Sequence, residues 1–347
     1  MEPLRYPAKP APGDKVAILS PSGGLPEILP IPFELGLRRL REEFGLVPVE
    51  YPTTRVLRSA PAARAADLHA AFADPEIKAV VCSIGGSDQI TVLPHLDAEL
   101  LRAHSKPFFG ASDATNLLTY LHALGIVGYH GGVVMCQYGR AGALHPLTHD
   151  SLRAALFDSG PFELVENKEF GDIDVPWDDA EAMTHEPPMA PSAGWSWLNA
   201  DRVVDGATWG GNLEILSWLA MADKNIGDPA RYTGGVLLLE TSEELPSATE
   251  VYRILRNLGE RGLLRRFDAA LVGRAKAWAL DRRLTPAASA EYRTAQRAMV
   301  ERAFAEYNPD ATVVFDVEFG HTEPQVVIPF GGRVRVDGPA RSITVWY

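Results

Sequence analysis

Phe109-Gly110-Ala111-Ser112-Asp113-Ala114-Thr115 runs from the end of an apolar strand, through a turn of small residues, into Asn116-Leu117-Leu118-Thr119-Tyr120-Leu121-His122-Ala123-Leu124, which reads as a helix. A strand that passes so directly into a helix is the repeating unit of a layered α/β fold. The turn also reads as a seat for a serine nucleophile. A hydroxyl presented on a sharp strand-to-helix turn needs a strained backbone and small neighbours, and Gly110, Ala111 and Ala114 supply them. The helix that follows would place its positive end beneath Ser112. The plain alternative is that Ser112 or Asp113 only caps that helix.

Outward from this turn, the first half alternates strand and helix signals. Val16-Ala17-Ile18-Leu19-Ser20 is a buried-strand run, Pro32 to Phe44 has helical periodicity, and Leu46-Val47-Pro48-Val49 opens another strand. Ala60 to Phe72 is an alanine-rich helix closed by Asp74-Pro75. Ala79 to Ile84 is a strand that breaks at Gly85-Gly86, and Leu93 to Leu101 reads as one short helix. This order predicts a mostly parallel sheet with helices on both faces, in which loops at the carboxyl ends of the strands carry function. Gly85-Gly86 and Ser112 both follow strands and should emerge on one edge.

From 161 to 194 the pattern dissolves, with Asp172 to Asp179 and Glu186 to Pro191 reading as a linker or long loop. Beyond it, Gly234 to Glu240 and Ala269 to Gly273 read as strands, Pro246 to Leu258 and Pro286 to Tyr307 as helices, and the C-terminus as β-like alternation. The expected division is an α/β domain over 1–160, a linker over 161–194, and a β-rich α+β domain over 195–347.

Composition narrows the partners. At 347 residues the chain is long enough for two domains, and its 46% hydrophobic and 22% charged content is that of a globular protein. A net charge of -12 argues against nucleic acid or an anionic membrane as partner. No stretch approaches the ~18 apolar residues of a membrane span, and the first residues lack the apolar core of a secretion signal, so a cytoplasmic location is expected. Cys82 and Cys136 sit in apolar contexts far apart and read as reduced core residues. The nine histidines are scattered; His145 and His149 form only a weak metal pair.

Acyl transfer by a serine needs a base, a carboxylate orienting that base, and donors for the oxyanion. His321, in Phe319-Gly320-His321-Thr322-Glu323-Pro324 after the strand Thr312 to Val317, is the candidate base, or else a surface-loop histidine. Glu240 ends the apolar run Val236 to Leu239 and is either the orienting carboxylate or the point where the chain meets water. Gly85 and Gly86 could present free N–H groups, with the N–H of Asp113 as a second donor.

Taken together, these motifs resemble the serine peptidase family that contains murein LD-carboxypeptidases and microcin C immunity proteins. The resemblance runs from Ala17-Ile18-Leu19-Ser20-Pro21-Ser22 through Gly85-Gly86, Gly110 to Thr115, Trp209-Gly210-Gly211-Asn212-Leu213, Leu238-Leu239-Glu240 and Gly320-His321, to Ile328-Pro329-Phe330-Gly331. It implies a Ser112–His321–Glu240 triad at the interface between domains, an oxyanion hole at Gly86 and Asp113 with Gly85 beside it, a homodimer, and neither metal nor organic cofactor. The interval of 81 residues from Glu240 to His321 is longer than the family implies; the excess is assigned to the helical stretch 281–307. Ser87-Asp88-Gln89 after the glycine pair looks closer to the microcin immunity branch, which acts on peptidyl or aminoacyl nucleotides. Ser87, Asp88, Asn212 and Trp177, with Trp195 and Trp197 next, are therefore candidate substrate contacts; Glu214 could contact substrate or shape a turn. The implied function is amide hydrolysis on a small peptidic or nucleotide-linked substrate. The alternatives are a murein tetrapeptide LD-carboxypeptidase and a non-catalytic binding protein on the same fold.

Overall fold

The computed structural model describes residues 4–347. In chain order, the first half contributes β1 (Lys15–Leu19), α1 (Pro30–Glu42), β2 (Val47–Glu50), α2 (Pro61–Ala73), β3 (Ile77–Cys82), α3 (Ala98–Ala103), β4 (Phe108–Gly110), α4 (Thr115–Ala123), β5 (Gly128–His130) and α5 (Pro146–Phe157). The strands β2, β1, β3, β4 and β5 lie side by side in that order and all parallel. The inner strands, buried on both faces, read as continuous apolar runs, such as Val16 to Leu19 and Ala79 to Cys82, whereas the edge strand β2 is partly exposed. The region expected to be one helix over Leu93 to Leu101 divides instead into a single turn at Leu93–His95 and α3. Asp97 intervenes there, accepting from the N–H groups of Glu99 and Leu100 as an N-cap.

The second half contributes β6 (Pro161–Leu164), β7 (Glu169–Phe170), β8 (Ala190–Pro191), β9 (Ser196–Leu198), β10 (Val203–Asn212), α6 (Leu213–Met221), β11 (Gly235–Glu240), α7 (Ala248–Glu260), β12 (Phe267–Gly273), α8 (Pro286–Tyr307), β13 (Thr312–Val317), β14 (Ile328–Phe330), β15 (Arg333–Asp337) and β16 (Ser342–Trp346). Eight of these strands form a mixed sheet in the order β6-β16-β15-β10-β11-β12-β13-β9, its β10 to β13 segment parallel. Helices α7 and α8 start where Ser247 and Thr285 accept from backbone N–H groups at Glu250 and Ala288. The stretch 161–194 is more ordered than a linker: β6 extends the eight-stranded sheet, and β7 pairs with β8.

The two halves interlock. β14 leaves the second half and adds antiparallel to β5 at the edge of the first sheet. β10, the longest strand, pairs antiparallel with β15 along its first part and parallel with β11 along its second. At its end the chain passes against the first turn of α4. A Cβ on Gly211 would stand 2.7 Å from Thr115 Oγ1, and the N–H of Asn212 donates to that same oxygen at 3.2 Å. Gly211 also has φ +108, so both space and backbone conformation demand glycine there. Beneath, Trp209 is buried against Tyr232 and Phe267.

Candidate active site

Ser112 is the first residue after the β4–Ala111 extension and carries φ +58, a left-handed conformation that a non-glycine residue holds at a cost of about 1–3 kcal/mol. The turn closes because its neighbours are small. A Cβ on Gly110 would meet Ala114 Cβ at 2.6 Å and Cys82 Sγ at 3.1 Å. A Cβ on Gly85 would stand 3.0 Å from Ser112 Cβ and 3.3 Å from its Oγ. The glycine pair after β3 therefore exists for close approach, since neither residue has positive φ.

Asp113 is buried and organises this turn. Its Oδ2 accepts from the N–H of Gln89 at 2.9 Å and its Oδ1 from Asn116 Nδ2 at 2.8 Å. Burial pushes its pKa up to about 6, and the donors from the Gln89 loop oppose that rise. Gln89 in turn donates to Ser22 Oγ at 3.0 Å and accepts from the N–H of Leu117 at 3.0 Å. The first-turn N–H of Asp113 has no acceptor within its own helix, and no described acceptor takes the N–H of Gly86.

Across the domain boundary, register places Asn212 beside Glu240 at the carboxyl ends of β10 and β11. Glu240 is 2% exposed. Gly273 and Gly320 crowd it: a Cβ on either would lie about 3 Å from Glu240 Cβ, at 3.1 and 2.9 Å. Gly320 has φ +98 and turns the chain so that the His321 ring faces this carboxylate, Nδ1 lying 2.6 Å from Glu240 Oε2. On the other flank, His130 Nε2 is 3.8 Å from Glu240 Oε1. His130 is the register partner of Gly110, two residues before Ser112, so the carboxylate of the second half abuts the strand pair that launches the serine of the first.

Burial would raise the Glu240 pKa, but His321 and His130 outweigh it and hold the carboxyl well below the usual carboxylate range. For His321, burial works against the charged ring. The Glu240 carboxylate, its hydrogen bond and Glu243 overcome burial and Lys276, raising the imidazole to about 9. Glu243 Oε2 lies 3.3 Å from His321 Nε2. Among the described residues, Ser112 Oγ makes no hydrogen bond, so the resting ring is joined to Glu240 and Glu243 and not to the serine.

The remaining candidates divide. Asp88 is clamped by Arg64, whose Nη1 lies 2.6 Å and Nη2 3.2 Å from its two oxygens, while Ser87 beside it is exposed and free. Asn212 Oδ1 caps α6 by accepting from the N–H of Ile215 at 3.0 Å, and its Nδ2 is buried without a partner. Glu214 shapes the turn after β11, taking the N–H and hydroxyl of Ser242 at 2.9 and 2.7 Å. Trp177 is half-buried, three residues beyond Asp174; Asp174 pairs at 2.6 Å with Lys276, which also donates to the His321 carbonyl at 3.4 Å. Trp195 is occupied, its Nε1 donating to Glu318 at 2.6 Å, and Trp197 lies on β9. His145 caps α5, and His149 lies 3.2 Å from Asp150. Cys82 and Cys136 are free thiols.

The sequence reading passed over His130, Glu243, Lys276 and Arg64. His130 was the most accessible of these: it ends the apolar run Ile126 to Tyr129 and precedes Gly131-Gly132, the signature of a strand end.

This geometry agrees with two domain families. Residues 16–131 match the LD-carboxypeptidase N-terminal domain and residues 205–336 the LD-carboxypeptidase C-terminal domain, together spanning the elbow, Glu240 and His321. The chain belongs to the LD-carboxypeptidase family, peptidase S66. It is a serine-type carboxypeptidase. A Streptomyces coelicolor protein bearing a carboxypeptidase name is 30% identical over 99% of this chain and 97% of its own. The murein tetrapeptide carboxypeptidase of Pseudomonas aeruginosa is 31% identical over 60% of this chain and 58% of its own. The microcin C7 self-immunity protein MccF of Escherichia coli is 22% identical over 81% of this chain and 77% of its own. A solved structure of MccF in complex with aspartyl sulfamoyl adenosine has a TM-score of 0.83 at 20% identity, covering 98% of both chains. Among the described residues, no helix is long and apolar enough to cross a membrane.

Proposed function

We propose that Ser112, His321 and Glu240 form the triad of this carboxypeptidase and that its substrate is a small peptide or a peptidyl or aminoacyl nucleotide. The observation that carries the reading is the Glu240–His321 bond at 2.6 Å, made by a carboxylate lying 3.8 Å from His130, the register partner of Gly110 two residues before Ser112. His321 takes the Ser112 proton as the oxygen attacks the scissile carbonyl, and Glu240 fixes the Nδ1-protonated tautomer. The N–H groups of Gly86 and Asp113 receive the oxyanion; one such donor contributes about 3 kcal/mol to lowering the barrier. Water then resolves the acyl-enzyme. The same reading takes the protein as a cytoplasmic homodimer.

Trp177 distinguishes the two substrate classes. A base stacked on its ring gains roughly 1–3 kcal/mol, whereas a murein peptide offers no base. The family description and the Pseudomonas relative favour murein tetrapeptide as the second reading. Incubation with aspartyl sulfamoyl adenosine and with murein tetrapeptide, followed by mass spectrometry, tests both. Release from the nucleotide analogue with a raised KM in Trp177→Ala supports the first; release from tetrapeptide alone, indifferent to Trp177, replaces it with the second.

The contact with Glu243 makes a further prediction. A protonated imidazole whose Nε2 faces a carboxylate cannot accept a proton there, so catalysis requires His321 to deprotonate and turn from Glu243 to Ser112. With the ring raised to about 9, kcat/KM rises with pH through that value, because the protonated form below it is not a base. Glu243→Gln removes one raising charge and leaves Glu240. Its acid limb moves to lower pH by about one unit, and activity at neutral pH rises up to about tenfold. A pH profile of kcat/KM checks this, and an unmoved limb contradicts it.

A further inference from the structure

We infer that His130 is a positioning residue for the triad carboxylate: its Nε2–H donates to Glu240 Oε1, so that Glu240 is held between two imidazoles and presents only Oε2 to His321. The inference rests on the triad reading above. Three polar atoms at this point have no hydrogen-bond partner: both ring nitrogens of His130 and Glu240 Oε1. His130 is 1% exposed and Glu240 2%, and His130 Nε2 lies 3.8 Å from Glu240 Oε1. A buried carboxylate oxygen without a donor is costly, and a small approach of these two groups satisfies both.

The surroundings fix the ring for this task. The backbone of His130 is paired on one side with Gly110 of β4 and on the other with Ile328 of β14. Its ring meets Phe319 edge-on at 5.6 Å, and Phe319 lies two residues before His321. His130 thus belongs to the strand pair that carries the serine, while its ring touches the carboxylate that carries the base. A carboxylate free to rotate could offer either oxygen to His321 at a range of angles. One anchored at Oε1 offers a single lone-pair direction, which aligns the imidazole plane.

The test separates a donor from a filler of space. In His130→Gln the carboxamide nitrogen occupies about the place of Nε2 and can donate; His130→Leu and His130→Phe fill the site without a donor. On whichever of the two probes above the wild type cleaves, Leu and Phe should lower kcat on the order of ten- to a hundredfold with KM unchanged, and Gln should restore most of it. Wild-type kcat in Leu or Phe, or a Gln variant no better than Leu, overturns the proposal, since a purely packing role favours the apolar residues. If only the Gln variant folds, the buried carboxylate needs the donor, which is the same conclusion. A readout on the wild-type protein needs neither variant nor substrate. The nitrogen-15 spectrum of its labelled histidines should show a proton on His130 Nε2; protonation at Nδ1 alone refutes the bond. Because that spectrum is independent of turnover, failure of both probes would count against the triad reading while leaving the His130 bond decided by the spectrum.

Discussion

Ser112→Ala should reduce kcat by about a millionfold, while the variant still binds substrate and folds. Removal of a nucleophile that acts as a unit with its base leaves only the contributions of oxyanion donors and binding. The stability of variants at this position should move the opposite way. Ser112 is held at φ +58, and alanine would inherit that strain, whereas glycine adopts it freely. Ser112→Gly is therefore expected to be inactive yet more stable than Ser112→Ala by about 1 kcal/mol, the lower end of the strain range. Calorimetry on the two variants, with turnover measured alongside, checks both halves. Equal stability would show that the turn is not strained by its side chain, and residual turnover in the alanine variant would remove Ser112 from the chemistry. The combination matters because a helix-capping serine predicts neither result: it would lose stability in both variants and activity in neither.

The elements that place this serine were legible because their signals are local. A parallel strand buried on both faces is a largely apolar run, and α8 and β13 occupy 286–307 and 312–317, the bounds read from the sequence. The elbow was legible because strain restricts its neighbours to small residues. The long-range partners were not. β14 is three residues with a proline in the middle, and its partner strand lies two hundred residues earlier, so nothing near it announces which sheet it joins. Ser87 and Asp88, the candidate substrate contacts, sit in a loop whose polar groups also hold the fold together. Arg64 from an alanine-rich helix clamps Asp88, while Asp113 Oδ2 and Ser22 Oγ accept from Gln89 and the N–H of Leu117 donates to it. His130 and Glu243 escaped for a related reason. Each acquires meaning only from an atom contributed by a distant segment, and no spacing in the chain encodes a contact of that kind.

Glu240→Gln is expected to lower kcat by about ten-thousandfold with little change in KM. The carboxylate accepts from His321 Nδ1–H at 2.6 Å; the amide can turn its NH₂ group toward the same nitrogen. That choice makes Nδ1 the acceptor and puts the proton on Nε2, the atom that takes the Ser112 proton in the proposed mechanism. The loss of charge works in the same direction. Glu240 is the leading group that raises the His321 pKa, so the variant also loses the hydrogen-bonded charge that stabilises the imidazolium formed when the ring takes up a proton. Stability carries an independent signature. Glu240, held below its ordinary value, stabilises the fold above the unfolded carboxyl pKa of about 4.3 and loses that contribution as pH falls toward its folded value. His321, raised to about 9, contributes fully below its unfolded value of about 6.5 and loses its share as pH rises through 9. Both contributions overlap between about pH 4.3 and 6.5, so the Tm gap between wild type and Glu240→Gln should be widest there and close toward pH 9. A gap independent of pH would mean that the variant suffers from altered packing, and that the carboxylate and imidazole do not act as an ion pair in the folded protein.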